Sequence, residues 1–272
     1  MVRGVQTLLS AGIDIGTSTT KLVISRLFMQ NTAGQTQVPR IEIIGQEVIY
    51  KSPIFRTPLI DEVTIDVKAV EQLVFEQYRL AHISPKQIQT GAILITGETA
   101  TKSNASEVIH FLSDAAGDFL VATAGPDLES ILAAFGSGAM TYSKKTGKVV
   151  ANIDIGGGTA NIAVLKRGEV IGTATLHIGG RLISYNGHRV AEIAPSIQRL
   201  FTKYDRSYAV GDDYHEEEQQ FVIQQMMSSL NSVLRASQNE DEMPLLLGHK
   251  PDWTEPIDTI LFSGGVAQCI YP

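Results

Sequence analysis

Hydrophobic and polar positions change period several times along this chain, and each change marks an element. Residues 11–27, "AGIDIGTSTTKLVISRL", predict an apolar strand, a tight polar turn and a returning strand. A polar loop, "MQNTAGQTQVP", separates them from the β-rich "RIEIIGQEVIY". From Val67 to Ala81 the period lengthens, with Val70, Leu73, Val74, Tyr78 and Ala81 on one side of a helix. "TGAILITGETA" predicts a buried strand, residues 105–116 a helix and "DFLVATAG" another strand; Asp127 to Phe135 form a helix closed by Gly136 and Gly138. Next comes a hairpin, "NIDIGGGTANIAVLKRG", with the return strand "GEVIGTATLHIGG". A helical region is expected around Ile183 to Phe201. "DDYHEEEQQFVIQQMMSSLNSVLRAS" predicts an acidic start on an amphipathic helix with Phe221, Leu230 and Leu234 inward. Residues 239–256 carry Pro244, Pro251 and Pro256 and predict a loop, and "IDTILFSGGVAQ" a strand running into a double-glycine turn. Strands and helices alternating in this way predict an α/β protein.

One pattern occurs twice. "IDIGTSTTKLVI" from Ile13 and "IDIGGGTANIAV" from Ile153 align without a gap, Asp14 on Asp154, and their apolar positions stay in step. A repeated supersecondary unit implies two lobes of related topology, expected at residues 1–138 and 139–272. It also bears on the glycines. Glycine inside a strand forfeits packing and backbone entropy, and a single hairpin needs it once rather than in a repeated Asp-x-Gly-x-x-Thr frame.

In each copy a strand delivers an Asp to its end, where Gly16 or Gly156 lets the chain fold back. Successive exposed N–H groups in such a turn form a concave nest for phosphate oxygens. Thr17, Ser18 and Thr19, or Gly157, Gly158 and Thr159, supply further amides and hydroxyls. Asp14 and Asp154 would repel the same phosphates unless a hard cation stood between them. Mg²⁺ suits that place, because it keeps several waters and is held by one or two carboxylates plus phosphate. The expected ligand is therefore a nucleoside triphosphate with Mg²⁺, in a cleft between the lobes.

Composition narrows the alternatives. A net charge of −7 excludes a basic footprint for a nucleic-acid backbone. Cys269 is the only cysteine, so no internal disulfide framework or multi-cysteine metal site exists; it is expected as a small buried apolar residue. The six histidines show no metal-ligand spacing and are expected at the surface. Asp212, Asp213, Glu216, Glu217 and Glu218 suit a solvated helix start better than a metal cluster. Trp253, in its proline-rich loop, is expected as a packing lid. The opening apolar run is short and leads straight into Asp14, and no run reaches about 18 apolar residues, so a cytosolic start is expected.

The segments "DIGTSTTK", "DIGGGTANIAV" and "LFSGGVAQ", in that order, resemble the phosphate-1, phosphate-2 and adenosine segments of the actin/Hsp70/sugar-kinase ATPase superfamily. "DIGGGT" is nearly the Hsp70 form, and "LHIGGRL" is similar to the double-glycine turn that follows it there. "GPDLESILAAFGSGA" falls where the superfamily has its first connecting helix, which puts Asp127 near a carboxylate that helps hold the metal waters. Within the superfamily the chain looks most like the EutA family, the reactivating factors of ethanolamine ammonia-lyase. "AGIDIGTSTTKLVISRL", "GAILITGETATKSNA", "GPDLESILAAFGSGA" and "NIDIGGGTANIAV" carry that likeness.

The resemblance implies a two-lobed actin-like ATPase fold of the ribonuclease H type. It implies ATP or ADP with Mg²⁺ as ligands, and a chaperone that releases damaged cobalamin from ethanolamine ammonia-lyase so that intact cofactor can bind. Cobalamin would be touched only indirectly, in the cytoplasm and in association with a bacterial microcompartment. Asp14, Asp127 and Asp154 would hold Mg²⁺ and its waters, and Asp154 with Thr159 would serve the hydrolytic step. Gly16, Thr17, Ser18, Thr19 and Gly156 to Thr159 would cradle phosphates, while Gly264 and Gly265 let adenosine approach the backbone. Superfamily members continue past the adenosine turn, whereas this chain stops at "CIYP", so a C-terminal truncation is expected. Two other readings use the same turns. A sugar or carboxylate kinase needs an acceptor base, for which Asp127 and Glu98 are the candidates. A non-enzymatic actin-like scaffold would bind nucleotide without turnover.

Overall fold

The computed structural model describes residues 5–16, 19–33, 38–61, 64–96 and 119–271. The chain divides into two compact units, Met1–Ala124 and Gly125–Pro272.

The first unit contains β1 (Gln6–Ile15), β2 (Thr19–Asn31), β3 (Ile41–Lys51), β4 (Phe55–Arg56), β5 (Leu59–Asp61), β6 (Thr64–Ile65), α1 (Val67–Leu80), β7 (Thr90–Thr96) and β8 (Phe119–Ala124). Its main sheet runs β3-β2-β1-β7-β8, antiparallel through the first three strands and parallel from β1 to β8. Alternation along β1 and β2 turns Ala11, Ile13, Ile15, Leu22 and Ile24 to one face. That face meets Val70, Val74 and Tyr78 of α1, residues spaced to share one helix side. The helix starts where expected because the Asp66 carboxylate accepts from the Ala69 N–H at 3.0 Å. Asp66→Ala is expected to cost the first unit about 1 kcal/mol. A urea midpoint unchanged by the substitution would contradict this.

The second unit contains α2 (Pro126–Gly136), α3 (Ala139–Thr146), β9 (Val149–Ile155), β10 (Ala160–Lys166), β11 (Glu169–Leu176), β12 (Ile183–Asn186), β13 (Arg189–Ile193), α4 (Pro195–Lys203), α5 (Glu216–Leu234), β14 (Leu246–Leu247) and β15 (Thr259–Ser263). Its sheet runs β14-β11-β10-β9-β15, an antiparallel meander with a parallel strand beside its first member. β1, β2, β3 and β7 have that same arrangement. Even the register is repeated: Asp14 lies opposite Lys21 and Asp154 opposite Asn161, Ile15 opposite Thr20 and Ile155 opposite Ala160. The internal repeat is a duplicated sheet.

β9 and β10 are buried on both faces. One face packs Ile153, Ile162 and Val164 against Ile197, Leu200 and Phe201 of α4 and Val222, Leu230 and Val233 of α5. The other packs Val150, Ala163 and Leu165 against Ala134 and Ala139 of α2 and α3. Because α2 lies with this sheet, the unit boundary falls after Ala124, ahead of the division expected after Gly138.

Two local expectations change. Residues 183–193 form a hairpin rather than the start of a helix. Gly187, with φ +62°, is the first central residue of its two-residue loop, and alternation in "ISYNGHRVAEI" suits strands. Helix begins only at Pro195. Cys269 is exposed, because the short turn Val266–Cys269 buries Ala267 instead. The helix expected at 105–116 lies outside the described residues. Trp253 is a packing residue, 3% exposed in the larger core. The acidic stretch is spent on structure: Asp212 accepts from the Ala209 N–H, and Arg206 pairs with Glu217 and Glu218 in the first turn of α5. Among the described residues no helix is long and apolar enough to cross a membrane.

Candidate functional site

The face of the second sheet beneath α2 carries a polar row. Asp154, Asn161 and Thr175 lie side by side on β9, β10 and β11, and Ser263 of β15 is level with Asp154. The Ser263 hydroxyl donates to Asp154 Oδ2 at 2.8 Å and Thr175 to Asn161 Oδ1 at 3.2 Å. Asn152, two residues before Asp154 and fully buried, donates from Nδ2 to Ser263 Oγ at 3.1 Å and accepts from Ser137 Oγ at 2.7 Å. Oδ1 of Asp154 has no partner among the described residues.

The turn after β9 closes through the Gly156 N–H, which donates to the Thr159 carbonyl at 2.9 Å. Its own carbonyls are engaged: Gly156 O accepts from the Gly180 N–H at 3.1 Å and Gly157 O from the Arg181 N–H at 2.8 Å. This contact explains Gly179, whose missing Cβ would collide with the Gly157 carbonyl and lie 2.6 Å from the Gly158 nitrogen. The N–H groups of Gly157, Gly158 and Thr159, and the Thr159 hydroxyl, make no hydrogen bond among the described residues. Gly158 has no positive φ, and a Cβ there would meet nothing within 4 Å. The fold does not require glycine at that position, and the space beside its backbone is open.

The third turn meets the same end of the sheet. Gly264 has φ +85°, and its Cβ direction is filled by the Ile155 backbone, with C and N 2.8 Å away. Gly265 has an ordinary φ of −64° and open space around its Cβ direction. Of the two, only Gly265 leaves room beside its backbone.

Asp127 stands in the first turn of α2, on the same face but one pleat further from the turn. It accepts from Thr173 Oγ1 at 2.7 Å and meets His249 Nε2 at 2.9 Å. His249 Nδ1 faces the Lys250 carbonyl at 2.9 Å, so both ring nitrogens face acceptors. The Thr173 hydrogen bond, with help from His249, holds the Asp127 carboxyl below its ordinary range against a partial burial penalty. The Lys250 carbonyl and then Asp127 raise His249. The signs define a window. The Asp127 contribution exists above its unfolded pKa, near 4, and is lost as pH falls through the lower folded value. The His249 contribution exists below about 6.5 and is lost as pH rises through the higher folded value. Both groups are half exposed, which limits the bridge to under about 1 kcal/mol. His249→Gln is expected to flatten the decline in melting temperature between about pH 6 and 8. Parallel profiles for the two proteins would contradict this.

The first unit repeats the arrangement with different chemistry. The Gly16 N–H donates to the Thr19 carbonyl at 2.9 Å, and the Gly16 carbonyl accepts from Thr57 Oγ1 at 2.7 Å. Thr96, at the end of β7, donates to Asp14 Oδ1 at 3.1 Å, much as Ser263 serves Asp154. Lys21 pairs with Asp14 Oδ2 at 2.9 Å, where the second copy has neutral Asn161. Thr17 and Ser18, and Glu98 among the candidate bases, lie outside the described residues.

Within the second unit, then, Asp154, the turn 156–159 and the turn 263–265 come together, with Asp127 on the same face. Asp14, Gly16 and Thr19 belong to the other unit's sheet. No group of three or more His, Cys, Asp or Glu suited to a metal occurs among the described residues. Free N–H donors beside a half-free carboxylate fit a phosphate with its cation. Sequence reasoning missed Ser137, Asn152, Thr173, His249 and Ser263 as partners of these carboxylates. Polar residues two apart, Asn152 with Asp154 and Thr173 with Thr175, are the signal that could have found the buried row.

Comparison with known proteins gives a consistent result. The family described as "Ethanolamine utilisation protein EutA" matches residues 6–272. Ethanolamine ammonia-lyase reactivase EutA of Escherichia coli (strain K12) is 39% identical over 266 residues, covering 96% of this chain and 56% of that protein. Its counterpart in Salmonella typhimurium (strain LT2) is 47% identical over 176 residues, covering 65% of this chain and 38% of that protein. The chain therefore spans about half the length, or less, of these curated relatives. Among solved structures, a Ppx/GppA family member from Aquifex aeolicus superposes with a TM-score of 0.53 at 20% identity, covering 98% of this chain and 72% of that one. The structural likeness concerns the fold, a two-unit α/β architecture of the actin/Hsp70/sugar-kinase kind with a duplicated sheet. The match over residues 6–272 and the 39% identity establish the narrower assignment: the chain belongs to the EutA family of ethanolamine utilisation proteins.

Proposed function

We propose that this protein is an ATP-dependent reactivase of adenosylcobalamin-dependent ethanolamine ammonia-lyase, acting in the cytoplasm. It would release damaged cobalamin so that intact cofactor can bind. The observation that carries the reading is a turn with three unengaged N–H groups beside the half-free Asp154 carboxylate, in a chain of the EutA family. The N–H groups of Gly157, Gly158 and Thr159 would bind phosphate oxygens, with Thr17, Ser18 and Thr19 as their counterparts in the first copy and Gly156 and Gly16 closing the two turns around them. Gly265, and Gly264 before it, would border adenosine. In the second unit Asp154 and Asp127 would hold Mg²⁺ through its waters, with Asp14 as the corresponding metal carboxylate of the first copy, and the cation would neutralise phosphate charge. Asp154 would also orient the attacking water, and Thr159 would steady the phosphate by its hydroxyl. The fold of the protein would be of the ribonuclease H type.

Exchange of nucleotide states can drive release only if they differ in affinity for the lyase. The direct test loads the lyase with inactivated cobalamin and follows its exchange for intact cofactor with MgATP, comparing wild type with Asp154→Ala. Exchange by wild type alone is expected. Equal exchange by both proteins would refute an ATP-driven mechanism. Phosphorylation of a small acceptor would point to a kinase, and binding without turnover to a scaffold.

A further inference from the structure

The polar row contains a chain of hydrogen bonds with only one possible direction. A carboxylate only accepts, so the single Ser263 proton is committed to Asp154 Oδ2 at 2.8 Å. Ser263 Oγ must then accept from Asn152, which turns Nδ2 toward Ser263 and leaves Oδ1 toward Ser137. Ser137 therefore donates to it at 2.7 Å, a shorter contact than the 3.2 Å from the same hydroxyl to the Ala134 carbonyl. Asn152 is fully buried and cannot replace either partner by solvent. Ser137 is the C-cap of α2, and its hydroxyl also lies 3.4 Å from the N–H of Ala139, the first residue of α3. The chain thus runs from the corner between two helices, across β9 and the edge strand β15, to the carboxylate beside the glycine turn.

We propose that Ser263, Asn152 and Ser137 are positioning residues for Asp154. They fix one carboxylate oxygen, present the other to the cation, and report its state to the α2–α3 corner. The inference rests on the proposed nucleotide site. Buried, directional supports of this kind hold a metal-binding carboxylate in one orientation, and their loss typically lowers metal affinity by 10-fold or more. A purely structural tie would affect folding without distinguishing Mg²⁺ from its absence.

The test uses the ¹⁵N-labelled 272-residue chain and ADP, with Mg²⁺ or with EDTA. ADP with Mg²⁺ is expected to move the Asn152 side-chain amide and the Ala139 backbone resonances; ADP in EDTA is expected to leave them in place. Ser263→Ala should weaken ADP binding about tenfold in Mg²⁺ and leave it unchanged in EDTA, which also reports that the variant is folded. Ser263→Thr, which keeps the hydroxyl, should restore it. Ser137→Ala should act in the same direction by about threefold and add nothing to Ser263→Ala, because the chain is already cut. Equal losses in Mg²⁺ and EDTA, wild-type affinity in Ser263→Ala, or additivity of the two substitutions would each overturn the positioning role. Failure of the wild type to bind ADP under either condition would instead overturn the nucleotide reading, and this inference with it.

Discussion

Gly264→Ala is expected to destabilise the second unit by about 3 kcal/mol or more, among the largest effects of any single substitution in it. Two penalties add at this position. The residue has φ +85°, a conformation that costs a side-chain-bearing residue about 1–2 kcal/mol. The new Cβ would also lie 2.8 Å from the backbone C and N of Ile155 and closer still to its carbonyl oxygen. That backbone cannot move aside easily, because β9 is held between β10 and β15. Relief would have to come from β15, whose end carries Ser263 and with it the hydrogen bond to Asp154. Gly265→Ala is the control: its φ of −64° and open surroundings predict a stability change within about 0.5 kcal/mol. Urea unfolding distinguishes the two, and matching midpoints for both variants would refute the packing argument.

Asp154→Ala is expected to lower MgATP hydrolysis by roughly 100-fold or more while leaving a folded protein, as the role proposed for its carboxylate in positioning cation and water requires. The stability change should be modest. One hydrogen bond from Ser263 is lost, worth about 1 kcal/mol, which moves the melting temperature of a unit this size by about 2–4 °C. Asp154→Asn sharpens the comparison. It keeps an acceptor for Ser263 but removes the charge, so stability should stay close to wild type while Mg²⁺-dependent hydrolysis falls as far as in the alanine variant. Full hydrolysis by the asparagine variant would remove Asp154 from the cation's surroundings.

Both predictions start from turns that stand out in the primary structure, yet they concern different kinds of legibility. The repeat of Ile-Asp-Ile-Gly at Ile13 and Ile153 predicted two related sheets, and the strand register bears it out position by position. Strand alternation and helix period depend on near neighbours, so α1, the β9–β10 hairpin and β15 lie close to where their patterns put them. The hairpin at 183–193 was missed because its apolar residues also fit a helix, and only the Asn-Gly pair argues for a turn. Gly264 and Gly265 look alike in sequence and have different reasons to be glycine, since packing against Ile155 is invisible until β15 lies beside β9.

By itself the sequence determined the α/β class, the duplication and the position of an Asp at the end of each first strand, because those follow from periodicity and from glycine's conformational range. Tertiary structure decided which carboxylate is supported by what. Lys21 pairs with Asp14, whereas Asp154 sits at the end of a buried chain from Ser137 through Asn152 and Ser263. His249, 122 residues away in sequence, closes on Asp127. Contacts such as these depend on which strands and loops become neighbours, and no local pattern records that.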